Sequence, residues 1–161
     1  MTKSIILLWL WLCMVNLVCG QKVEIIDLQT YQSLVSKEND SLYVVNFWAT
    51  WCVPCVKELP DFLEVEKELI DEKLRFVFIS LNHKKEFNKT EVFVKRLGMS
   101  FPTYLMDAGN PNDWIDAVEK EWSGSIPFTI FYYKGKNVFF REGEWRKEAL
   151  LSEIKKTLTK N

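Results

Sequence analysis

One segment limits the fold more than any other. Leu42-Tyr43-Val44-Val45-Asn46-Phe47-Trp48 is dense in β-branched and aromatic residues, the pattern of a buried strand. It runs into Trp51-Cys52-Val53-Pro54-Cys55. Beyond the second cysteine, Val56, Leu59, Leu63, Glu66, Leu69 and Ile70 follow mostly three- and four-residue steps, the spacing of helix faces. Pro60 falls inside that helix, where it removes a bond to the Val56 carbonyl and is expected to kink it. The chain must therefore place two cysteines, three residues apart, at a strand-to-helix junction.

The rest of the sequence alternates in the same manner. Val23 to Asp27 predicts a short strand and Thr30 to Ser36 a helix. Leu74 to Leu81 predicts a second buried strand, and Phe87 to Leu97 a helix closed by Gly98. Pro102 to Met106 reads as extended, Ala108-Gly109-Asn110-Pro111 as a turn, and Asn112 to Trp122 as a helix. Phe128 to Tyr133 and Asn137 to Arg141 flank Lys134-Gly135-Lys136 as a hairpin, and Arg146 to Leu158 predicts a closing amphipathic helix. Alternation first and a hairpin later predict an α/β fold with a central mixed β-sheet and helices on both faces.

Placed at the start of its helix, Cys52 faces unpaired backbone N–H groups and the positive end of the helix dipole, which favour thiolate over thiol. Cys55 lies nearly one turn on, close enough to close a small disulfide ring. Cys52 can then attack a disulfide and Cys55 can resolve the mixed disulfide. Pro54 sits in the first turn, where its missing N–H costs little. Trp48 and Trp51 are expected to shield the pair. Two plainer readings are half of a zinc site and an inert local disulfide. Zinc needs four ligands, and beyond residue 20 only His83 would accompany the two cysteines. A loop this small contributes little stability by chain entropy.

The first twenty residues differ from the remainder. Lys3 is their only charge, Ile5 to Val18 is apolar except for Asn16, and Val18-Cys19-Gly20 precedes the return of polar sequence at Gln21. This is the pattern of a secretory signal peptide, residues 1–20, followed by one domain, residues 21–161. A retained membrane anchor and a lipid attached through Cys19 are the alternatives. Cleavage would remove Lys3, Cys13 and Cys19, leaving 20 basic against 22 acidic residues and only two cysteines. A disulfide scaffold would use more cysteines at wider spacing. The near-neutral charge gives no electrostatic case for nucleic acid or an anionic membrane surface.

Asn46-Phe47-Trp48-Ala49-Thr50-Trp51-Cys52-Val53-Pro54-Cys55-Val56-Lys57-Glu58-Leu59-Pro60 resembles the active-site segment of thioredoxin-like proteins. More narrowly, it resembles that of the extracytoplasmic TlpA/ResA-like thiol–disulfide oxidoreductases. The likeness extends more loosely from Val23 to the C-terminus. It includes Gly124-Ser125-Ile126-Pro127-Phe128-Thr129, similar to the segment that carries the family's cis-proline. The resemblance implies a thioredoxin-like fold and a redox-active Cys52–Cys55 disulfide with no cofactor and no metal. It implies that Trp51, Val53, Pro54, Ile126 and Pro127 border the substrate, with the Ile126 backbone pairing to an extended substrate segment.

Thioredoxins carry a buried Asp at the position of Asn46, which cannot ionise. TlpA/ResA-like proteins have a Glu where Glu58 stands, and the resemblance gives it the role of tuning or deprotonating the cysteines. The plain alternative is a solvated helix charge beside Lys57. A His before the second cysteine, as in strong oxidants, is absent, which favours the reductase direction; Val53 leaves the potential open. The implied partners are cysteine-containing protein substrates, apocytochromes awaiting haem among them, and a membrane-bound electron donor; a monomer is expected. A copper or zinc carrier and a redox-silent interaction module are the rival readings. His83 reads as a surface-loop residue that could flank the redox site. Residues 107–122, with Trp114 and Trp122, read as an insertion serving either packing or specificity.

Overall fold

In the computed structural model, residues 22–70 and 73–160 are described. The predicted signal peptide, residues 1–20, lies outside the described residues. The strands are β1 (Glu24–Ile26), β2 (Leu42–Trp48), β3 (Leu74–Ser80), β4 (Thr103–Met106), β5 (Phe128–Tyr133) and β6 (Lys136–Glu142). The α-helices are α1 (Leu28–Val35), α2 (Val53–Glu68), α3 (Phe87–Leu97), α4 (Ile115–Val118) and α5 (Lys147–Lys160).

The six strands form one mixed sheet in the order β1-β4-β3-β2-β5-β6. β2 is central. It pairs parallel with β3, Leu42 opposite Leu74 through Trp48 opposite Ser80, and antiparallel with β5. A strand with a neighbour on each side and helices above and below favours apolar residues; all seven β2 residues are buried, and six of them, all but Asn46, are apolar. Strand alternation sends Leu42, Val44 and Trp48 to one face and Tyr43, Val45 and Phe47 to the other.

The first face packs against α2, α3 and α5 through Leu59, Phe62, Val65, Val94, Leu150 and Ile154. Phe62 is fully buried and meets Phe76 and Phe78 edge-on, with ring centroids 5.8 and 5.5 Å away. These contacts fix α2, and therefore the cysteines at its start, over the end of β2. The second face is covered by α1 and by the α4 region. The predicted mixed sheet with helices on both faces is present.

The helix expected over Asn112–Trp122 is replaced by a 3₁₀ turn at Pro111–Asp113, the single turn of α4, and an extended Glu119 (φ −158°, ψ 122°). Trp114, Val118 and Trp122 are nevertheless buried. Trp122 stacks on Phe128 at 4.3 Å with an interplanar angle of 9°. These two tryptophans are packing residues of the second core. α2 is continuous from Val53 to Glu68 with Pro60 inside it. The hairpin turn has two residues, Lys134 and Gly135, both at positive φ (49° and 71°), which matches the twist of the flanking strands. Gly135 is required there for a second reason: an added Cβ would lie 3.0 Å from the Ser36 carbonyl oxygen.

Candidate active site

β2 ends at Trp48, and the next residues turn so that the Cys52 N–H donates to the Ala49 carbonyl at 3.1 Å. Cys52 is the N-cap of α2, in extended conformation, and its Sγ accepts the Cys55 N–H at 3.3 Å. The sulfur thus faces the unpaired donors of the first helical turn, as the sequence predicts. Cys52 and Cys55 are joined as a disulfide with their Cα atoms 5.3 Å apart. Cys52 keeps 6% exposure and Cys55 none, so a partner can reach only the first sulfur. Pro54 occupies the first turn of α2.

Trp51 and Val53 project into solvent at 59% and 77% exposure, an apolar rim around a nearly buried sulfur. Trp48 is fully buried, so it backs the site, whereas Trp51 does not bury itself over it as a shield. The Ile126–Pro127 peptide bond is cis. The Ile126 carbonyl oxygen lies 3.7 Å from Cys52 Sγ, which brings the second predicted segment to the disulfide across 74 residues of sequence. His83 and Trp51 line one cavity of about 490 Å³ together with Leu81, Met106 and Trp114, so His83 does flank the redox end of the sheet. Another cavity, of about 370 Å³ around Leu74, Phe101 and Tyr104, lies at the other end of β3, away from the cysteines. Among the described residues, no three His, Cys, Asp or Glu side chains are grouped to hold a metal ion.

Glu58 is no solvated helix charge. It is fully buried one turn after Cys55, on the same side of α2. Its Oε1 accepts from Asn46 Nδ2 at 2.8 Å and its Oε2 from the Trp145 backbone N–H at 2.7 Å. Burial raises its pKa from 4.5 to about 7; the Trp145 and Asn46 bonds pull the other way, and Glu144 adds repulsion. A buried carboxyl poised near neutrality suits proton exchange.

The shift also predicts a pH dependence of stability. Glu58 binds its proton more tightly folded than unfolded, so its contribution is intact below about pH 4.5 and is lost as pH rises through about 7. The loss is about 3 kcal/mol at most. Urea unfolding of the oxidised protein at pH 4.5 and at pH 8 is expected to show a smaller decline for Glu58→Gln than for the unaltered chain. Equal declines would contradict the assignment.

Asn82, Thr129 and Trp145 also belong to the site, in roles that no sequence signal marks. Asn82 Oδ1 accepts the Thr50 N–H at 2.9 Å, and its Nδ2 donates to Thr50 Oγ1 at 2.7 Å, which clamps the loop before Cys52 onto the end of β3. Thr129 Oγ1 accepts from Asn46 Nδ2 at 3.1 Å.

A disulfide capping a helix at the C-terminal edge of a mixed sheet, beside a cis-proline loop, defines a thioredoxin-like protein. Residues 18–140 match the model of the AhpC/TSA family, and the chain belongs to that family. It is 28% identical over 138 residues to the thiol-disulfide oxidoreductase ResA of Bacillus thuringiensis, covering 85% of this chain and 69% of that protein. It is 29% identical over 99 residues to the thioredoxin-like protein YneN of Bacillus subtilis, covering 59% and 58% of the two chains. The chain spans about half the length of several such curated relatives. Among solved structures it resembles a thiol:disulfide interchange protein of the thioredoxin family from Chlorobium tepidum, with a TM-score of 0.61 and 28% identity over 78% of this chain and 83% of that one.

Proposed function

We propose that this protein is an exported thiol–disulfide oxidoreductase that reduces disulfides in protein substrates. The observation that carries the reading is the Cys52–Cys55 pair itself, with one sulfur slightly exposed at a helix N-terminus and the other fully buried. In the reduced protein the Cys52 thiolate attacks a substrate disulfide, forming a mixed disulfide and releasing one substrate thiolate. The Cys55 thiolate then attacks Cys52 Sγ, releasing the second substrate thiolate and closing the Cys52–Cys55 disulfide. Two electrons pass from protein to substrate, and each released thiolate takes a proton. Glu58 takes the Cys55 proton before the second attack.

Trp51, Val53 and Pro54 on one side and Ile126 and Pro127 on the other border the groove in which an extended substrate segment lies. The apolar exposure of Trp51 and Val53 supports that placement. Export is supported by the N-terminal pattern of residues 1–20, and it places the protein in the periplasm or another extracytoplasmic space. A protein there requires a dithiol donor held in the membrane to restore the reduced state, because cytosolic reductants do not reach it.

Equilibration with glutathione tests the direction. A reduction potential well below −200 mV is expected for a reductase, whereas a value near −120 mV, that of a strong oxidant, would overturn this direction.

A further inference from the structure

Both oxygens of Glu58 accept hydrogen bonds from N–H donors, Asn46 Nδ2 on β2 and the Trp145 backbone on the approach to α5. That arrangement suits a carboxylate. A protonated Glu58 needs an acceptor for its own O–H, and a backbone N–H cannot become one. Asn46 can. Its carboxamide carries an acceptor, Oδ1, that is buried with no hydrogen-bond partner, while its Nδ2 serves both Glu58 Oε1 at 2.8 Å and Thr129 Oγ1 at 3.1 Å. A buried acceptor left unpaired loses its hydration with nothing in return, so an orphan at this position calls for an explanation. Thr129 stands directly across from Asn46 in the β2–β5 pairing, and a hydroxyl both donates and accepts.

We propose that Asn46 is a positioning residue that works as a reversible switch: its carboxamide donates to Glu58 when the acid is ionised and turns to present Oδ1 to the Glu58 O–H when it is protonated, with the Thr129 hydroxyl reversing alongside. The inference rests on the reading of Glu58 as the proton acceptor for Cys55. In that step the Cys55 thiol and the Glu58 carboxylate become a thiolate and a carboxylic acid. One proton moves and no electron does. The amide turn gives the new O–H an acceptor, so the Glu58 carboxyl is paired in both states, and the end of the amide left without a partner is Oδ1 in one state and Nδ2 in the other. The other charges acting on the carboxyl are Arg141 on β6, which favours ionisation, and Glu144, which opposes it. Glu144 is itself paired with Lys57 at 3.3 Å and Arg146 at 3.1 Å.

The test is nuclear magnetic resonance of the oxidised full-length protein, with carbon-13 in Glu and nitrogen-15 in Asn. The Glu58 carboxyl and the Asn46 side-chain amide are expected to titrate with one midpoint near neutrality. The Overhauser contact from the Asn46 Nδ2 protons to the Glu58 γ-protons is expected above that midpoint and lost below it. A contact that persists at both ends would overturn the switch while leaving Glu58 its role. A Glu58 carboxyl that does not titrate near neutrality would overturn that role and the switch with it. Asn46→Ala removes the charge-assisted donor, and the Glu58 midpoint is expected to rise by about one pH unit or more; an unchanged midpoint would count against any positioning by Asn46.

Discussion

With Cys52 replaced by Ala, turnover of a disulfide-bonded protein substrate is expected to fall by about 10³-fold or more, to the uncatalysed rate. The nucleophile is the one group whose loss no neighbour can make good, because Cys55 is fully buried and cannot meet a substrate sulfur. Cys52 is also the N-cap of α2, so the alanine variant loses a helix cap as well as a thiol. Losing a cap costs about 1 kcal/mol. Cys52→Ser separates the two effects. Its hydroxyl keeps an acceptor for the Cys55 N–H, so stability is expected to recover while turnover does not. Turnover retained in Cys52→Ser would mean that the chemistry lies elsewhere.

The largest expected effect on stability is at Phe62. Its ring is fully buried between α2 and the sheet and touches Phe76 and Phe78 edge-on. Phe62→Ala removes that burial and leaves a cavity which three packed elements cannot close, at a cost of about 3–5 kcal/mol. With a urea slope of about 1–3 kcal/mol/M, the unfolding midpoint is expected to fall by about 1–5 M. The same change loosens the seat of α2, so disulfide exchange is expected to weaken even where the variant remains folded. A loss below about 1 kcal/mol would show that α2 is held mainly by other contacts.

The elements that carry the cysteines were legible because each has a local cause. β2 is buried throughout and apolar but for Asn46, and its bounds, Leu42–Trp48, are those its sequence pattern predicts. α3 ends where Gly98 adopts positive φ (67°), as its glycine signals. The segment after Pro111 departs from the expected helix although Trp114, Val118 and Trp122 recur at helical spacing. Their spacing instead reflects burial against Phe47 and Phe128, and Glu119 turns extended between them. Cys52, Cys55 and Glu58 were visible as a spacing along one helix. Their support was not. Trp145 reaches Glu58 from 87 residues away through a backbone N–H, which any residue but proline possesses, so no residue type announces it. Thr129 and Asn82 likewise act over 83 and 32 residues, distances at which only the folded sheet makes neighbours.

Trapping with Cys55→Ala tests the central claim most directly. Without its resolving thiol, the reduced variant mixed with a disulfide-bonded protein is expected to stop at a covalent complex that dithiothreitol releases, and peptide mass analysis is expected to place the bridge on Cys52. Failure to form a bridge, or a bridge that survives when Cys52 is also replaced by Ala, would contradict the assignment of Cys52 as the attacking thiol.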